Sequence, residues 1–202
     1  ISQAEMEFGL EDFRGEIMQI PPMYSALKVN GQKLCDLARR GIEVERKPRP
    51  AFISRLELVS FDGTDGVLEV DCSGGTYIRT LINDIGETLC TGAVMTSLCR
   101  TRSCGFTLDC CHELDEIRSA DREQLEKWLL PVENVFAPLP EIPLDEVQKR
   151  MYLNGVRLDA DRLMARPDTD KLSRITFGGK FLGVGRINTE GELVPVKQFR
   201  DE

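Results

Sequence analysis

Residues 73–80, SGGTYIRT, join two different hydrophobic patterns in this sequence of 202 residues. Before them, Leu68, Val70 and Cys72 alternate with acidic residues, which is the period of a half-buried strand. After them, apolar residues recur at three- and four-residue steps, as in an amphipathic helix: Ile78, Leu81, Ile82, Ile85 and Leu89. The sequence therefore predicts a strand, a turn made by two glycines and a helix, with a tyrosine and an arginine at the junction.

Tyr77 and Arg79 lie at this junction but outside the apolar stripe of the predicted helix. An aromatic ring and a guanidinium at the carboxyl edge of a sheet suit an unstacked base and a carboxylate. The alternative is a surface tyrosine beside an arginine that packs on the helix. Gly74 and Gly75 leave a similar choice. They form either a tight turn or a phosphate cradle that lacks the lysine and the spacing of a P-loop.

The chain is acidic overall, with a net charge of −8, but the charge is unevenly distributed. Residues 14–49 carry eight Lys or Arg against four Asp or Glu. A basic element on an acidic body can bind a phosphate backbone, although a solvated surface segment explains the same pattern. The 41% hydrophobic content suits a core in one or two domains. No apolar run approaches the roughly 18 residues that a membrane-spanning helix needs.

The seven cysteines fall at irregular positions, and His112 is the only histidine. Structural zinc sites usually show paired ligand spacings, so we expect reduced thiols in a cytoplasmic protein and no metal site. A lone histidine also disfavours a nucleophile that is activated by an imidazole base.

Turn residues divide the first half of the chain into short elements. Asn30-Gly31 predicts a hairpin, because both residues tolerate the positive φ of its tightest turn. The sequence DGTDG joins two predicted strands within residues 50–72, and we expect further extended structure over residues 93–106.

Prolines divide the second half. Helix within residues 114–131 is predicted to close the first domain, which covers residues 1–130. Four prolines within residues 131–143 predict a linker. Strands punctuated by glycine then predict a small β-rich module over residues 144–202.

Two segments resemble the bacterial tRNA pseudouridine synthases of the TruB type. They are FRGEIMQIPPMYSALKVNGQKLCDLARRGIEVERKPR at residues 13–49 and SGGTYIRTLINDIGETLCTGAVMTSLCRTRSCGF at residues 73–106. The resemblance implies an α+β fold, in which part of a mixed-sheet catalytic domain carries a thumb-like RNA-gripping insertion over residues 14–49. A weaker likeness continues through the C-terminal module, which is similar to the PUA-like end of these enzymes.

The resemblance implies an isomerase that converts the T-loop uridine (uracil-55) of tRNA to pseudouridine. Such enzymes flip the uridine out of the loop, detach uracil from C1′ of the ribose, rotate it and rejoin it through C5. They need no metal and no organic cofactor. The implied partner is the T arm of tRNA rather than a membrane, and the implied state is a cytoplasmic monomer.

The family's functional residues map onto six positions. The tyrosine matching Tyr77 stacks on the flipped base and helps proton transfer at C5, and the arginine matching Arg79 pairs with a catalytic carboxylate. Leu98 matches a leucine that lines the uracil pocket. The RNA-gripping segment contributes the remaining substrate-binding positions: Tyr24, Lys28 and Lys33.

The sequence departs from the family at the catalytic aspartate, which belongs to a Gly-x-Leu-Asp-Pro-type motif upstream of the matched region. Residues 1–202 contain no such motif, and Asp109 and Asp159 follow leucines but lack the proline and lie on the wrong side in chain order. We therefore expect a fragment that lacks the N-terminal part, exposes an open sheet edge with apolar surface, and is inactive alone.

Two alternatives stay open at this point. One is a non-catalytic RNA-binding protein, such as a tRNA binder or folding chaperone. The other is an unrelated α/β protein that binds phosphate at Gly74 and Gly75. This second alternative predicts no RNA affinity and leaves the basic segment without a role.

Overall fold

A computed structural model describes residues 1–199, which divide into two compact units, Ile1–Cys99 and Arg100 onward. The first unit contains, in chain order, α1 (Gln3–Gly9), β1 (Gly15–Gln19), β2 (Lys28–Val29), β3 (Gln32–Lys33), α2 (Leu34–Arg39), β4 (Arg49–Phe61), β5 (Gly66–Cys72) and α3 (Ile78–Thr88). The second contains β6 (Arg102–Ser103), β7 (Phe106–Thr107), α4 (Leu114–Ser119), α5 (Arg122–Trp128), β8 (Glu141–Pro143), α6 (Glu146–Leu153), β9 (Leu158–Asp159), β10 (Leu172–Phe177), β11 (Lys180–Ile187) and β12 (Glu192–Gln198).

The sheet of the first unit is antiparallel, with strand order β1-β4-β5. The apolar stripe of α3 packs on one face of this sheet, which confirms the predicted strand, turn and helix. The side chains of this core are buried in one cluster: Leu10, Ile53, Leu56, Leu81 and Ile85. The other face carries exposed apolar side chains, among them Met18 and Phe52, in line with the expectation of uncovered apolar surface.

The predicted hairpin is present between β2 and β3. Asn30 and Gly31 both have positive φ, 50° and 79°, which a two-residue hairpin loop of this twist requires. The antiparallel register then places Lys28 directly opposite Lys33. Two like charges directly opposite each other on neighbouring strands repel, so this pair does not stabilise the hairpin.

The second unit is built on a five-stranded sheet of order β8-β10-β11-β12-β9, in which only β8 runs parallel to its neighbour. Tyr152 of α6 lies fully buried against this sheet, and its hydroxyl donates to the carbonyl of Val184 at 3.1 Å. Burial raises the pKa of the Tyr152 hydroxyl well above its ordinary value, because the charged form would lose its hydration.

The helix predicted within residues 114–131 is present as two helices, α4 and α5, because the Asp121 side chain accepts the Gln124 N–H and starts a new helix. One expectation about secondary structure is corrected. The extended structure expected over residues 93–106 is reduced to the two-residue strands β6 and β7. No helix within residues 1–199 is both long and apolar enough to cross a membrane.

Gly86 fixes the path of the chain after α3. A Cβ at this position would lie 2.3 Å from the Ala93 nitrogen and 2.4 Å from the Gly92 carbonyl carbon. We expect Gly86→Ala to lower the free energy of unfolding by about 2 kcal/mol or more, because backbone cannot move aside as a flexible side chain can. Urea denaturation of the purified chain measures this change.

Gly74→Ala is the matched control, since a Cβ at Gly74 meets no atom within 4 Å. Its free energy of unfolding should stay within about 0.5 kcal/mol of the parent. Equal losses in the two variants would contradict the close approach at Gly86.

Candidate active site

The 73–76 turn leads the chain from β5 into α3. The Thr76 N–H donates to the Ser73 carbonyl at 3.3 Å, and Gly75 has a φ of 89°, as the third residue of a type II turn requires. The turn is tied to β4, because the Ser73 N–H donates to the Phe52 carbonyl at 2.8 Å and Ser73 Oγ accepts the Phe52 N–H at 3.0 Å. The glycines therefore serve the tight turn.

Tyr77 is the residue that precedes α3, and its φ of −96° and ψ of 102° are extended. The Tyr77 side chain does not accept a hydrogen bond from the first N–H groups of α3, so it does not cap the helix. Instead, the side-chain amide of Gln19 contacts the Tyr77 backbone on both sides. Gln19 Oε1 accepts the Tyr77 N–H at 3.0 Å, and Gln19 Nε2 donates to the Tyr77 carbonyl at 3.3 Å. Gln19 is only 2% exposed.

Arg79 is exposed on the first turn of α3, as predicted from its position outside the apolar stripe. Its Nη2 donates to the Tyr24 carbonyl at 2.8 Å. One hydrogen bond uses one of the five guanidinium N–H groups, so donors remain for a carboxylate. The contact also brings Tyr24 to the start of α3, 55 residues away in the chain.

Residues 19–25, which we call the strap, run from the end of β1 across the start of α3. Side chains from outside the strap donate to three of its backbone carbonyls. Besides the Arg79 contact, Arg46 Nη1 donates to the Pro21 carbonyl at 3.1 Å, and Thr80 Oγ1 to the Ile20 carbonyl at 3.5 Å. After Gln19, which ends β1, the strap has no regular secondary structure, so these contacts and those of Gln19 hold it in place.

The structure brings three of the six sequence-predicted residues together, namely Tyr24, Tyr77 and Arg79. Tyr24 is 58% exposed and is joined to Arg79 through its backbone carbonyl, and Tyr77 is partly buried two residues before Arg79. Leu98 lies in the same unit and is 61% exposed, on the irregular segment that follows Gly86. Its place in a uracil pocket stays a prediction.

Lys28 and Lys33 stand on the β2–β3 hairpin, and both are exposed. Within residues 1–199 neither ammonium has a carboxylate within 4.0 Å, whereas Arg39 pairs with Asp36 and Arg46 with Glu43. An unneutralised pair of lysines on one hairpin suits an external polyanion better than it suits the fold.

Other arrangements for chemistry find less support. The Tyr77 N–H is occupied by Gln19 and the Thr76 N–H by Ser73, which leaves the glycine turn poorly suited to cradle a phosphate. Within residues 1–199 no three side chains of His, Cys, Asp or Glu are arranged to hold a metal ion. His112 instead stacks on Trp128, with ring centroids 3.9 Å apart.

Sequence reasoning missed Gln19, Arg46 and Thr80, which hold the strap and the start of α3. A signal existed for Gln19. In a strand, Ile17 and Gln19 share one face, and an amide on the inward face must find partners. The partners themselves, 58 residues further along the chain, could not be read from this local pattern.

Three family domains match consecutive parts of the chain. Residues 1–78 match the TruB family pseudouridylate synthase N-terminal domain. Residues 79–137 match the tRNA pseudouridylate synthase B C-terminal domain, and residues 140–197 match the domain described as Pseudouridine synthase II TruB, C-terminal.

The curated relatives of this chain are named as tRNA pseudouridine synthases. The chain is 40% identical to a protein of Pseudomonas fluorescens (strain Pf0-1) named tRNA pseudouridine synthase B, with 100% of this chain and 67% of the relative covered. It is 38% identical to the protein of that name from Chromobacterium violaceum, with 100% and 68% covered. The same name belongs to a relative from Aeromonas salmonicida that is 40% identical, with 95% of this chain and 62% of the relative covered.

Solved structures show the fold. A crystal structure of a Cbf5-Nop10-Gar1 complex matches 99% of this chain and 62% of its own chain, with a TM-score of 0.73 and 22% identity. An H/ACA RNP bound to a substrate RNA containing 2′-deoxyuridine matches with a TM-score of 0.67 and 20% identity, covering 100% and 62%. The predicted α+β fold with a PUA-like C-terminal module is confirmed. The family domains and the identity to curated relatives together place this chain in the TruB family of pseudouridine synthases, which are isomerases that act on tRNA.

Proposed function

We propose that the protein isomerises the T-loop uridine of tRNA to pseudouridine, and that the start of α3 is where the flipped base is held. The observation that carries this proposal is the hydrogen bond from Arg79 to the Tyr24 carbonyl, which holds the strap against the start of α3 beside Tyr77. A partly buried ring and a guanidinium with free donors suit a base taken out of its stack and a carboxylate that acts on it.

The residues of this chain have distinct roles in the proposed reaction. The Tyr77 ring stacks on the flipped uracil and offsets part of the unstacking cost of a few kcal/mol. Arg79 pairs with the catalytic carboxylate of the family, for which residues 1–202 contain no Gly-x-Leu-Asp-Pro-type motif. Leu98 contributes to the uracil pocket. In the reaction the C1′–N1 bond breaks, the C1′–C5 bond forms, and the hydrogen on C5 leaves as a proton while N1 gains one.

The RNA partner proposed is the T arm of tRNA, bound through the basic segment over residues 14–49. Tyr24, Lys28 and Lys33 are its proposed contacts. A cytoplasmic monomer remains our proposal, as does a domain boundary within residues 131–143, between a catalytic part over 1–130 and a module over 144–202.

The Lys28 and Lys33 contacts give a salt-dependence prediction. We expect the double variant Lys28→Gln/Lys33→Gln to bind T-arm RNA more weakly than the parent protein. The slope of log Kobs against log salt concentration should become shallower by about 1.5, because binding then neutralises two fewer phosphates and releases fewer counterions from the RNA. Fluorescence anisotropy of a labelled T-arm stem-loop over a salt series measures this.

Lys127→Gln is the matched control, since the Lys127 ammonium already pairs with Glu123 at 2.7 Å. Its slope should equal that of the parent protein. An unchanged slope in the double variant would show that the hairpin lysines do not contact phosphate.

Tritium release tests the proposed activity. The gene-encoded protein is mixed with a T-arm stem-loop transcript that carries tritium on C5 of its uridines. One tritium should be released per stem-loop, because forming the C1′–C5 bond expels the hydrogen on C5. The same stem-loop with cytidine in place of the T-loop uridine should release none.

The non-catalytic alternative gives a different result in the same assay. A tRNA binder or chaperone would bind the stem-loop with no tritium release, and that outcome would overturn the proposed activity. A fragment that comprises only residues 1–202 should bind the stem-loop but release no tritium, because these residues contain no Gly-x-Leu-Asp-Pro-type motif.

A further inference from the structure

Gln19 is the one deeply buried amide at the candidate site, and its contacts are directed to a single residue. Its oxygen lies 3.0 Å from the Tyr77 nitrogen and its nitrogen lies 3.3 Å from the Tyr77 carbonyl oxygen. The two bonds reproduce the pairing that a neighbouring strand would give to an extended residue. We propose that Gln19 is a positioning residue for the isomerisation, which sets the orientation of Tyr77 and thereby of its ring. This inference rests on the proposed function.

Three features make Gln19 specific for this task. It ends β1, whose pairing with β4 fixes its backbone opposite Arg49. Its side chain is 2% exposed, so water does not compete for the amide. Tyr77 has no side-chain cap of its own, and its carbonyl already accepts the Leu81 N–H at 3.0 Å as the first bond of α3. Gln19 therefore fixes the peptide groups on both sides of the Tyr77 Cα, and with them the direction of the Cα–Cβ bond from which the ring projects.

The same amide links two parts of the site, the strap and the start of α3. Gln19 is the first residue of the strap, and Tyr24 on the strap meets Arg79 two residues beyond Tyr77. Loss of the Gln19 bonds would leave the junction held by Arg79, Thr80 and Arg46 alone. We expect RNA affinity to survive this loss, since the basic hairpin is untouched, whereas the chemical step depends on the placement of the ring.

The first test variant is Gln19→Met, which keeps the length of the side chain and removes both hydrogen bonds. The single-turnover rate constant of tritium release should fall about 10- to 100-fold, as expected for a misplacement of about 1 Å at a reacting centre. The Kd for the T-arm stem-loop should stay within about twofold of the parent. A rate constant equal to that of the parent would overturn the proposal.

The second variant, Gln19→Glu, tests the pH dependence of the rate, which should not change if Gln19 has a purely structural role. The protonated carboxyl group is a neutral mimic of the amide, accepting from the Tyr77 N–H and donating to the Tyr77 carbonyl. The ionised group cannot donate, and it faces that carbonyl with a negative charge. The rate of the variant relative to the parent should therefore rise as the pH falls from about 8 to about 5.

The charged groups on the elements packed against position 19 are Arg49, paired with Gln19 across β1 and β4, Arg46, which donates to the Pro21 carbonyl, and Arg79, two residues beyond Tyr77. The arginines lower the pKa of the introduced carboxyl group and burial raises it. Protonation still increases toward pH 5 in either case, so the direction of the expected change does not depend on their balance.

Gln148→Met is the matched control. Gln148 also accepts a backbone N–H, from Asp145 at 3.0 Å, and donates to a backbone carbonyl, that of Arg162 at 2.9 Å, but it belongs to the second unit. This variant should keep the rate constant of the parent. A pH-independent ratio for Gln19→Glu would overturn the positioning role even if Gln19→Met does not fold. An inactive parent protein would instead refute the proposed function.

Discussion

Tyr77→Leu is expected to reduce tritium release from the T-arm stem-loop by about 10³-fold or more. The variant loses the ring that we propose stacks on the flipped base, for a contribution of about 1–3 kcal/mol, and the hydroxyl that we propose assists proton transfer at C5, for about 10²–10⁴-fold in rate. The start of α3 should keep its shape, because Gln19 holds Tyr77 by its backbone rather than by its side chain.

Tyr77→Phe separates the two contributions. It retains the stacking ring, so its Kd for the stem-loop should match that of the parent, while its rate constant falls through loss of the hydroxyl alone. Circular dichroism and thermal unfolding of both variants verify that the fold is intact. A leucine variant that keeps more than about one tenth of the parent rate would remove Tyr77 from the active site.

Arg79→Ala is expected to lower the rate constant by about 10²–10³-fold, as does the loss of one preorganised charged donor in other enzymes. The variant removes the proposed partner of the catalytic carboxylate and also frees the Tyr24 carbonyl, which Arg79 contacts at 2.8 Å. Arg79→Lys should recover little of the rate, because an ammonium cannot donate to the carbonyl and to a carboxylate in the fixed geometry of a guanidinium.

Arg55→Ala provides the control for Arg79. Arg55 lies on β4 of the same unit and pairs with Glu57 at 2.6 Å and Glu69 at 3.0 Å, away from the strap contacts. Surface pairs of this kind contribute about 0–1 kcal/mol to stability, so the rate should stay within about twofold of the parent. Equal rates for Arg79→Ala and Arg55→Ala would show that Arg79 has no special role.

The sequence was most informative where one short pattern determined one local structure. The alternation before residue 72 and the three- and four-residue steps after residue 78 correctly predicted β5 and α3. Asn30-Gly31 predicted its hairpin, because few residues tolerate two consecutive positive φ angles. The helical period also predicted correctly that Arg79 lies outside the apolar stripe of α3 and is exposed to solvent.

Features that depend on distant partners could not be predicted. The motif at residues 19–25 gave no sign that its carbonyls accept hydrogen bonds from Arg46, Arg79 and Thr80. The parallel pairing of β8 with β10 joins residues more than thirty positions apart, and the local sequence of β8 is rich in proline. The split between α4 and α5 was recognisable in principle, since Asp121 is a strong N-cap residue.

The family resemblance supplied what the local patterns lacked. From the residues alone, the glycine turn could hold a phosphate and the basic segment could be a solvated surface. The structure favours a tight turn over a phosphate site, because the N–H groups of Thr76 and Tyr77 already donate to Ser73 and Gln19. The opposed lysines of the hairpin support our proposal that the basic segment binds a polyanion.

The position of pseudouridine in an unmodified tRNA transcript, mapped after incubation with the gene-encoded protein, tests the central claim most directly. Our account predicts one modified residue, the T-loop uridine, with the parent protein and none with Tyr77→Leu or Arg79→Ala. Pseudouridine outside the T arm, or equal modification by the parent and the Tyr77→Leu variant, would contradict the proposed site at the start of α3.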